Sequence, residues 1–206
     1  MTDHCLQNFV GNPVQLATKS IPRPKNLTKI LYIGRFENEQ KNLDMLLNAT
    51  RILPPKGWQL TLIGDGPYRR VIQQRIRELG HQDRITVLGW HNDPWSLVDE
   101  ASVLVLTSNY EGFGLVLVEA LSRGIPVIAT ACTGPEDIIQ SHQNGWILPV
   151  GDVSGLTNVL MTAISGDLTL PSPDFCRSSV QHFHPKIVVG NVIRSLEMMR
   201  AHHHRS

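Results

Sequence analysis

An alternation of short apolar runs with amphipathic stretches, beginning at Lys29, restricts the fold of this chain more than any other feature. The runs KILYIG (29–34), WQLTLIG (58–64), ITVLG (85–89), SVLVLT (102–107) and PVIAT (126–130) are brief, β-rich and nearly continuous in apolar residues. A strand covered on both faces has that pattern, because successive side chains point to opposite faces and both faces must be apolar. Between the runs, 42–53, 68–79, 94–100 and 115–123 read as helices, with a later one at 154–164. Strands alternating with helices imply parallel βαβ units, so the expected class is α/β: a Rossmann-like, doubly wound parallel sheet. Residues 1–28 carry Pro13, Pro22 and Pro24 without sustained periodicity and read as a lead-in or linker. The sheet domain then occupies 29–170, and 171–206 is a helical extension of one or two helices broken at Pro185.

Ligands of such sheets bind at the carboxyl ends of the strands, near the point where strand order reverses. Gly34, Gly64 and Gly89 end three of the runs, and Gly112 and Gly114 follow a fourth. Glycine is common in strand-to-helix turns without any ligand, yet five on one edge point to a shared ligand edge. The stretch EGFGLVLVE places Glu111 and Glu119 on either side of an apolar helix start. An unpaired carboxylate removed from water is costly, so both acids need something to hold. The first amides of a helix beginning near Leu115 form an anion site suited to phosphate. Glu119, about one turn further in and leaning back towards the helix start, reaches a group just beyond it. A ribose with two vicinal hydroxyls fits, since one carboxylate accepts from both. The competing reading pairs Glu119 with Arg123 at i+4 on an ordinary helix. In GRFENEQKNLD (34–44), Arg35 and Lys41 offer two cations at the same edge, one as a planar fork and one as a point charge. GDGP (64–67) adds Gly66 for close approach and Pro67 for a helix start. A dinucleotide fingerprint is excluded, because Leu117 stands at its third glycine and the motif follows a late strand.

Other classes fall away on composition. A net charge of +1 gives no sign of a nucleic-acid partner. Cys5, Cys132 and Cys176 are odd in number, widely spaced and without a CxxC pair, which suggests a reducing compartment and no disulfide or zinc framework. No apolar run approaches the roughly 18 residues of a spanning helix, and MTDHCLQN is not a signal peptide. These features set the expected location in the cytoplasm. His182, His184 and the histidines at 202–204 lack Cys or carboxylate companions at ligand spacing, so no metal site is expected. Trp90 either stacks on a base or covers the sheet edge, whereas Trp95 and Cys132 read as filler of core or loop.

Taken together, GRF…K (34–36 and 41), GDGP, the VLGW turn and E-x7-E resemble the retaining GT-B glycosyltransferases of family four over about residues 29–165. The resemblance is strongest to bacterial lipopolysaccharide-core galactosyl- and glucosyltransferases that use UDP-sugars. It implies the C-terminal, donor-binding half of a GT-B fold. Arg35 and Lys41 would hold the diphosphate and stabilise the leaving group. Glu119 would take the ribose hydroxyls, and Glu111 with Gly112, Phe113, Gly114, Leu115 and Val116 the donor sugar and phosphates. Gly34, Gly64 and Gly66 would shape the edge, and Gly89, Trp90 and His91 would flank the base. No metal would be required, and the acceptor would be lipopolysaccharide or another glycan, held through an N-terminal domain. Only 28 residues precede the first run, too few for that domain, so the expectation is a fragment inactive on its own. The full enzyme would associate peripherally with the cytoplasmic face of the inner membrane. Thr133-Gly134-Pro135-Glu136 stands where many members have GG-x-x-E, so no sugar-site detail carries over to 131–138. Two rivals share the features: a UDP-sugar epimerase half-domain and a non-catalytic nucleotide-binding module.

Overall fold

The computed structural model describes residues 13–25 and 27–203. Six parallel strands form one sheet: β1 (Thr28–Ile33), β2 (Trp58–Ile63), β3 (Ile85–Leu88), β4 (Val103–Leu106), β5 (Val127–Thr130) and β6 (Gly145–Leu148). Their order is β3-β2-β1-β4-β5-β6, so strand order reverses between β1 and β4. Side-chain alternation along β1 sends Leu31 and Ile33 into one core and Ile30 and Tyr32 into the other. That is why the strands read as unbroken apolar runs.

The helices divide between the two faces. On one side lie α2 (Leu43–Ala49), α3 (Arg69–Glu78) and α6 (Val153–Ser165), whose Leu46, Ile72 and Leu156 join Tyr32, Leu62 and Val105. On the other, α4 (Leu115–Ser122), α5 (Thr133–Ile138) and α7 (Pro173–Ser179) bring Leu117, Leu121, Ile138 and Cys176 to Leu104 and Ala129. The doubly wound sheet expected from the alternation is therefore present.

A short helix that the pattern did not show, α1 (Asn38–Lys41), precedes the one expected at 42–53, which is present as α2 running into a 3-10 turn at Thr50–Ile52. The two helices meet at Asn42, which caps both from a left-handed φ of 44°. Its side chain accepts from Met45 N–H, the local bond that makes Asn a good cap. The 94–100 stretch is a short 3-10 turn at Pro94–Leu97. β6 and α5 went unread because each is short, and Gly134 and Pro135 inside α5 look like a loop. Near the C-terminus the extension holds two helices, α7 and α8 (Pro185–His203), and the break expected at Pro185 is present, with Pro185 opening the second at its first position.

The lead-in also does more than connect. Val14 and Leu16 are buried in the core on the α4 side. Val14 N–H donates to Phe183 O at 2.9 Å, Ala17 N–H to Ser122 Oγ at 3.1 Å and Ile21 N–H to Arg123 O at 2.9 Å. Segments distant in sequence thus close one core together. Cys132 and Cys176 are free thiols, while Cys5 and His204 lie outside the described residues. Among the described residues no helix is long and apolar enough to cross a membrane.

The strand ladders position the ligand edge. β1 and β2 pair at six positions, from Thr28–Trp58 to Ile33–Ile63, whereas β1 and β4 pair only at Ile30–Val103 and Leu31–Leu104. Beyond Leu31 the two strands part, and a crevice opens at their carboxyl ends. The buried side chain of Leu16 predicts that Leu16→Ala costs about 2–3 kcal/mol, as large-to-small core changes do. A shift of the urea midpoint at constant slope would register it; an unchanged midpoint would return residues 13–25 to the status of a linker.

Candidate functional site

The crevice is walled by the loops that follow β1, β2, β3 and β4. The first two are joined by backbone bonds: Gly34 N–H to Ile63 O at 3.0 Å, Phe36 N–H to Asp65 O at 2.8 Å and Tyr68 N–H to Phe36 O at 3.0 Å. Gly64, at φ 148°, is required by this contact, because a Cβ there would lie 1.9 Å from Gly34 O. A Cβ on Gly66 would meet Phe36 O at 2.4 Å. Gly66 therefore serves loop against loop, and neither Gly66 nor Gly89 is among the lining of the two edge cavities. Tyr32 Oη donates to Arg35 O at 3.0 Å from inside the core. Burial, and then Glu111 and Glu37, push its hydroxyl far above the usual range, so it stays a donor.

Two cavities share this edge. One, of about 390 Å³, is lined by Ile33, Gly34, Arg35, Ile63, Gly64, Asp65, Trp90, His91 and Pro94. The other, of about 660 Å³, is lined by Ile33, Gly34, Arg35, Gln40, Lys41 and the run Glu111–Val116. Ile33, Gly34 and Arg35 belong to both, so the cavities adjoin at the end of β1 and its loop. Trp90 is 70% exposed, which rules out a core role and leaves its ring presented at the cavity wall.

Lys41 and Glu111 meet in the lining of the larger cavity. Lys41 Nζ lies 2.5 Å from Glu111 Oε2, with side chains only 14% and 13% exposed. Ser108 Oγ donates to the same carboxylate oxygen at 3.0 Å. Glu111 is thus paired, which answers how it tolerates its position. Arg35 is more open: its Nη2 donates to Gln40 Oε1 at 3.1 Å and stands 3.8 Å from Glu37 Oε2. Gly114, at φ 87°, caps α4 from the left-handed region and aims the helix start at the cavity. Leu117 N–H already donates to Gly114 O at 2.8 Å, which leaves the amides of Leu115 and Val116 on the cavity side.

Glu119 sits outside the lining of both cavities. The i+4 ion pair with Arg123 does not form. Instead Trp95 Nε1–H donates to Glu119 Oε2 at 2.9 Å, and the Arg123 guanidinium lies 4.2 Å from the Trp95 ring centre. Arg123 Nη1 donates to the backbone O of Glu119 at 2.9 Å. Burial lowers the Arg123 pKa, and Glu119 and Asp93 oppose that shift. Trp95 is buried at 8% exposure, as a core residue should be, and carries a polar contact the sequence did not reveal.

Burial pushes the Cys132 thiol up, as do Glu111 and Glu136, so no thiolate nucleophile is prepared there. Burial lowers the His182 pKa, and among the described residues no group of three His, Cys, Asp or Glu is placed to hold a metal ion. Gly134 is fixed by contact, since a Cβ would lie 2.4 Å from Phe113 Cα. Gln40, Ser108 and Asn109 were missed. Asn109 bridges the crevice, its Nδ2 donating to Glu39 O at 2.7 Å and its Oδ1 accepting from Asn42 Nδ2 at 2.9 Å. No spacing rule marks such a bridge.

A strand order of β3-β2-β1-β4-β5-β6, cationic loops and a helix start at the reversal point define the Rossmann-like fold of the GT-B glycosyltransferases. The family described as "Glycosyl transferases group 1" matches residues 15–173, and the chain belongs to it. It is 39% identical over 171 residues to the lipopolysaccharide 1,6-galactosyltransferase of Escherichia coli K12, covering 78% of this chain and 47% of that protein. The solved apo structure of the lipopolysaccharide outer core galactosyltransferase WaaB superposes with a TM-score of 0.85 at 32% identity, over 91% of this chain and 54% of that one. Anabaena HepE, solved in complex with UDP, shares the fold at a TM-score of 0.70 and 24% identity, over 85% of this chain and 49% of that one. The chain spans about half the length of the curated relatives it matches.

Lys41 and Glu111 should be energetically coupled. Lys41→Met leaves a mostly buried carboxylate without its cation and should cost about 2–3 kcal/mol. Lys41→Met with Glu111→Leu should recover part of that loss. A double-mutant cycle by urea denaturation reads the coupling, expected at about 1–3 kcal/mol; a value near zero would mean the pair is incidental.

Proposed function

We propose that this chain is the donor-binding half of a retaining glycosyltransferase that moves a hexose from UDP-galactose or UDP-glucose to a lipopolysaccharide or other glycan acceptor. The observation that carries the reading is the convergence of Arg35, Lys41, Glu111 and the start of α4 on one cavity at the strand reversal. A diphosphate placed there meets two cations and the free amides of Leu115 and Val116. Trp90, His91 and Gly34 line the adjoining cavity, which this reading gives to the base, and Arg35 stands between the two. Glu119 does not itself line either cavity; it is assigned to the ribose hydroxyls because it lies on α4 about one turn beyond Val116, which does.

The chemistry follows from where charge develops. As the bond from the anomeric carbon to the UDP oxygen breaks, negative charge accumulates on the diphosphate. Arg35, Lys41 and the α4 amides are fixed before that moment and stabilise it without reorganising, the work a divalent ion does in other transferases. No metal is therefore required in this reading. In this reading Glu111, held by Lys41 and Ser108 through Oε2, turns its other oxygen to the donor sugar. The proposal assigns the acceptor to the part of the relatives that this chain does not span, and the whole enzyme to the cytoplasmic face of the inner membrane as a peripheral protein.

Calorimetry with UDP and uridine tests the assignment. UDP should bind this chain weakly, because an open edge keeps water on each polar contact. Arg35→Ala and Lys41→Ala should each weaken UDP by roughly tenfold and leave uridine nearly unaffected, since a charge-assisted bond to phosphate is what they lose. Equal losses for both ligands, or no UDP-dependent change near Glu111, would remove the diphosphate from this cavity. Turnover of UDP-galactose to another UDP-sugar with no acceptor present would favour an epimerase instead.

A further inference from the structure

We infer that Trp95 is a positioning residue for Glu119, and that its indole N–H sets the preference of the site for ribose over deoxyribose; the inference rests on the reading of Glu119 as the ribose acceptor. The geometry begins with the capping of the 3-10 turn. Asp93 Oδ1 accepts from Trp95 N–H at 3.2 Å and Ser96 Oγ donates to Asp93 O at 2.7 Å, which fixes the turn after β3. Pro94, in the same turn, lines the smaller cavity beside Trp90 and His91. Trp95 leaves that wall, enters the core and reaches across to α4, where Nε1–H meets Glu119 Oε2 at 2.9 Å.

The partner chosen matters chemically. Arg123, one turn along α4, is the cation that spacing offers to Glu119, and it is turned away. It lies over the indole face at 4.2 Å and donates to the Glu119 backbone instead. A guanidinium fork on the carboxylate would occupy both oxygens and compensate the charge. An indole N–H occupies one lone pair of one oxygen, leaves the charge in place and restricts the rotamer. Among the described residues no donor reaches Oε1, and that atom is not one of the buried atoms lacking a partner. The acid is therefore oriented by one oxygen and open at the other. Arg123 in turn clamps the ring through a cation–π contact.

Trp95→Phe keeps an aromatic ring in the core and removes the N–H, so the ratio of two ligand affinities, and not stability, separates the two roles. The 206-residue chain and this variant are titrated with UDP and with 2′,3′-dideoxy-UDP. The unmodified chain should prefer UDP by roughly tenfold or more, the range set by a hydrogen bond to a charged group. In Trp95→Phe the preference should fall to within about threefold, with affinity for dideoxy-UDP held. An unchanged preference, or equal losses for both ligands, overturns the role of the N–H. No preference in the unmodified chain removes ribose from Glu119 itself, and the inference falls with it before any variant is made. Should Trp95→Phe fail to fold, the Trp95 indole N–H resonance provides the decision. It should lie downfield in the free protein and move upfield in Glu119→Ala; no movement overturns the inference.

Discussion

The part of the structure on which the rest of the edge depends is the bridge across the parting of β1 and β4. Two strands that pair at only two positions leave their carboxyl ends apart, and a crevice between polar loops would otherwise be free to widen. Six contacts between described residues span it, among them Gln40 Nε2–H to Tyr110 O at 3.5 Å. Thr107 Oγ1 donates to Lys41 O at 3.0 Å, and Asn109 N–H to Gln40 O at 2.7 Å. The Asn109 side chain bonds both Glu39 O and Asn42, and Lys41 closes on Glu111. Backbone, amide and ion-pair contacts thus hold the β1 loop to the β4 loop at a fixed separation. A site preorganised in this way does not have to order its loops when ligand arrives, and ordering is a large part of the cost of binding.

The bridge also explains the break at Asn42. A single helix running on from Asn38 to Ala49 would carry the chain past the crevice without turning back towards it. The left-handed φ of 44° at Asn42 ends α1 with Lys41 pointing at the β4 loop and starts α2 in the direction of the core, where Leu43, Leu46 and Leu47 are buried. One residue separates the cation that serves the site from the helix that serves the fold. The glycines divide in a similar way. Gly64 and Gly66 permit the β1 and β2 loops to touch, and Gly114 permits α4 to start facing the cavity.

What the sequence makes legible is whatever repeats with the period of an element. The strands β1 to β5, the long helices α3, α4 and α6, and the convergence of Arg35, Lys41, Glu111 and Gly112–Val116 on one edge all follow from alternation plus the reversal rule. Short elements with ambiguous residues do not, as β6 and α5 show. Pairings across sequence distance are the other blind spot. Trp95 and Glu119 are 24 residues apart and Lys41 and Glu111 are 70 apart, so nothing local reports that either pair meets. The i+4 rule, applied to Glu119 and Arg123, proposed a local partner, and tertiary packing of the indole overrode it. Val14 and Leu16 make the same point from the other direction, since two buried residues are too few to show a period.

Both acids that stand in the apolar stretch after β4 now have the same arrangement. Glu111 gives Oε2 to Lys41 and Ser108, and Glu119 gives Oε2 to Trp95. Each is tied by one oxygen, so each keeps its rotamer while the other oxygen remains for a ligand. The ties differ in kind, and the difference matches the demands on each acid. Lys41 is an ammonium with three donors; Glu111 takes one, and two remain for phosphate oxygens, so a cation paired in the free protein is not thereby withdrawn from the site. A bound anion next to Glu111 would be repelled without that ammonium between them. Glu119 faces neutral hydroxyls in the proposed complex, and there a cation is unnecessary. A neutral indole orients the carboxylate and leaves its full charge to accept. The two supports are thus not interchangeable: an ammonium at Glu119 would compete with hydroxyl donors, and an indole at Glu111 would leave two negative groups facing one another.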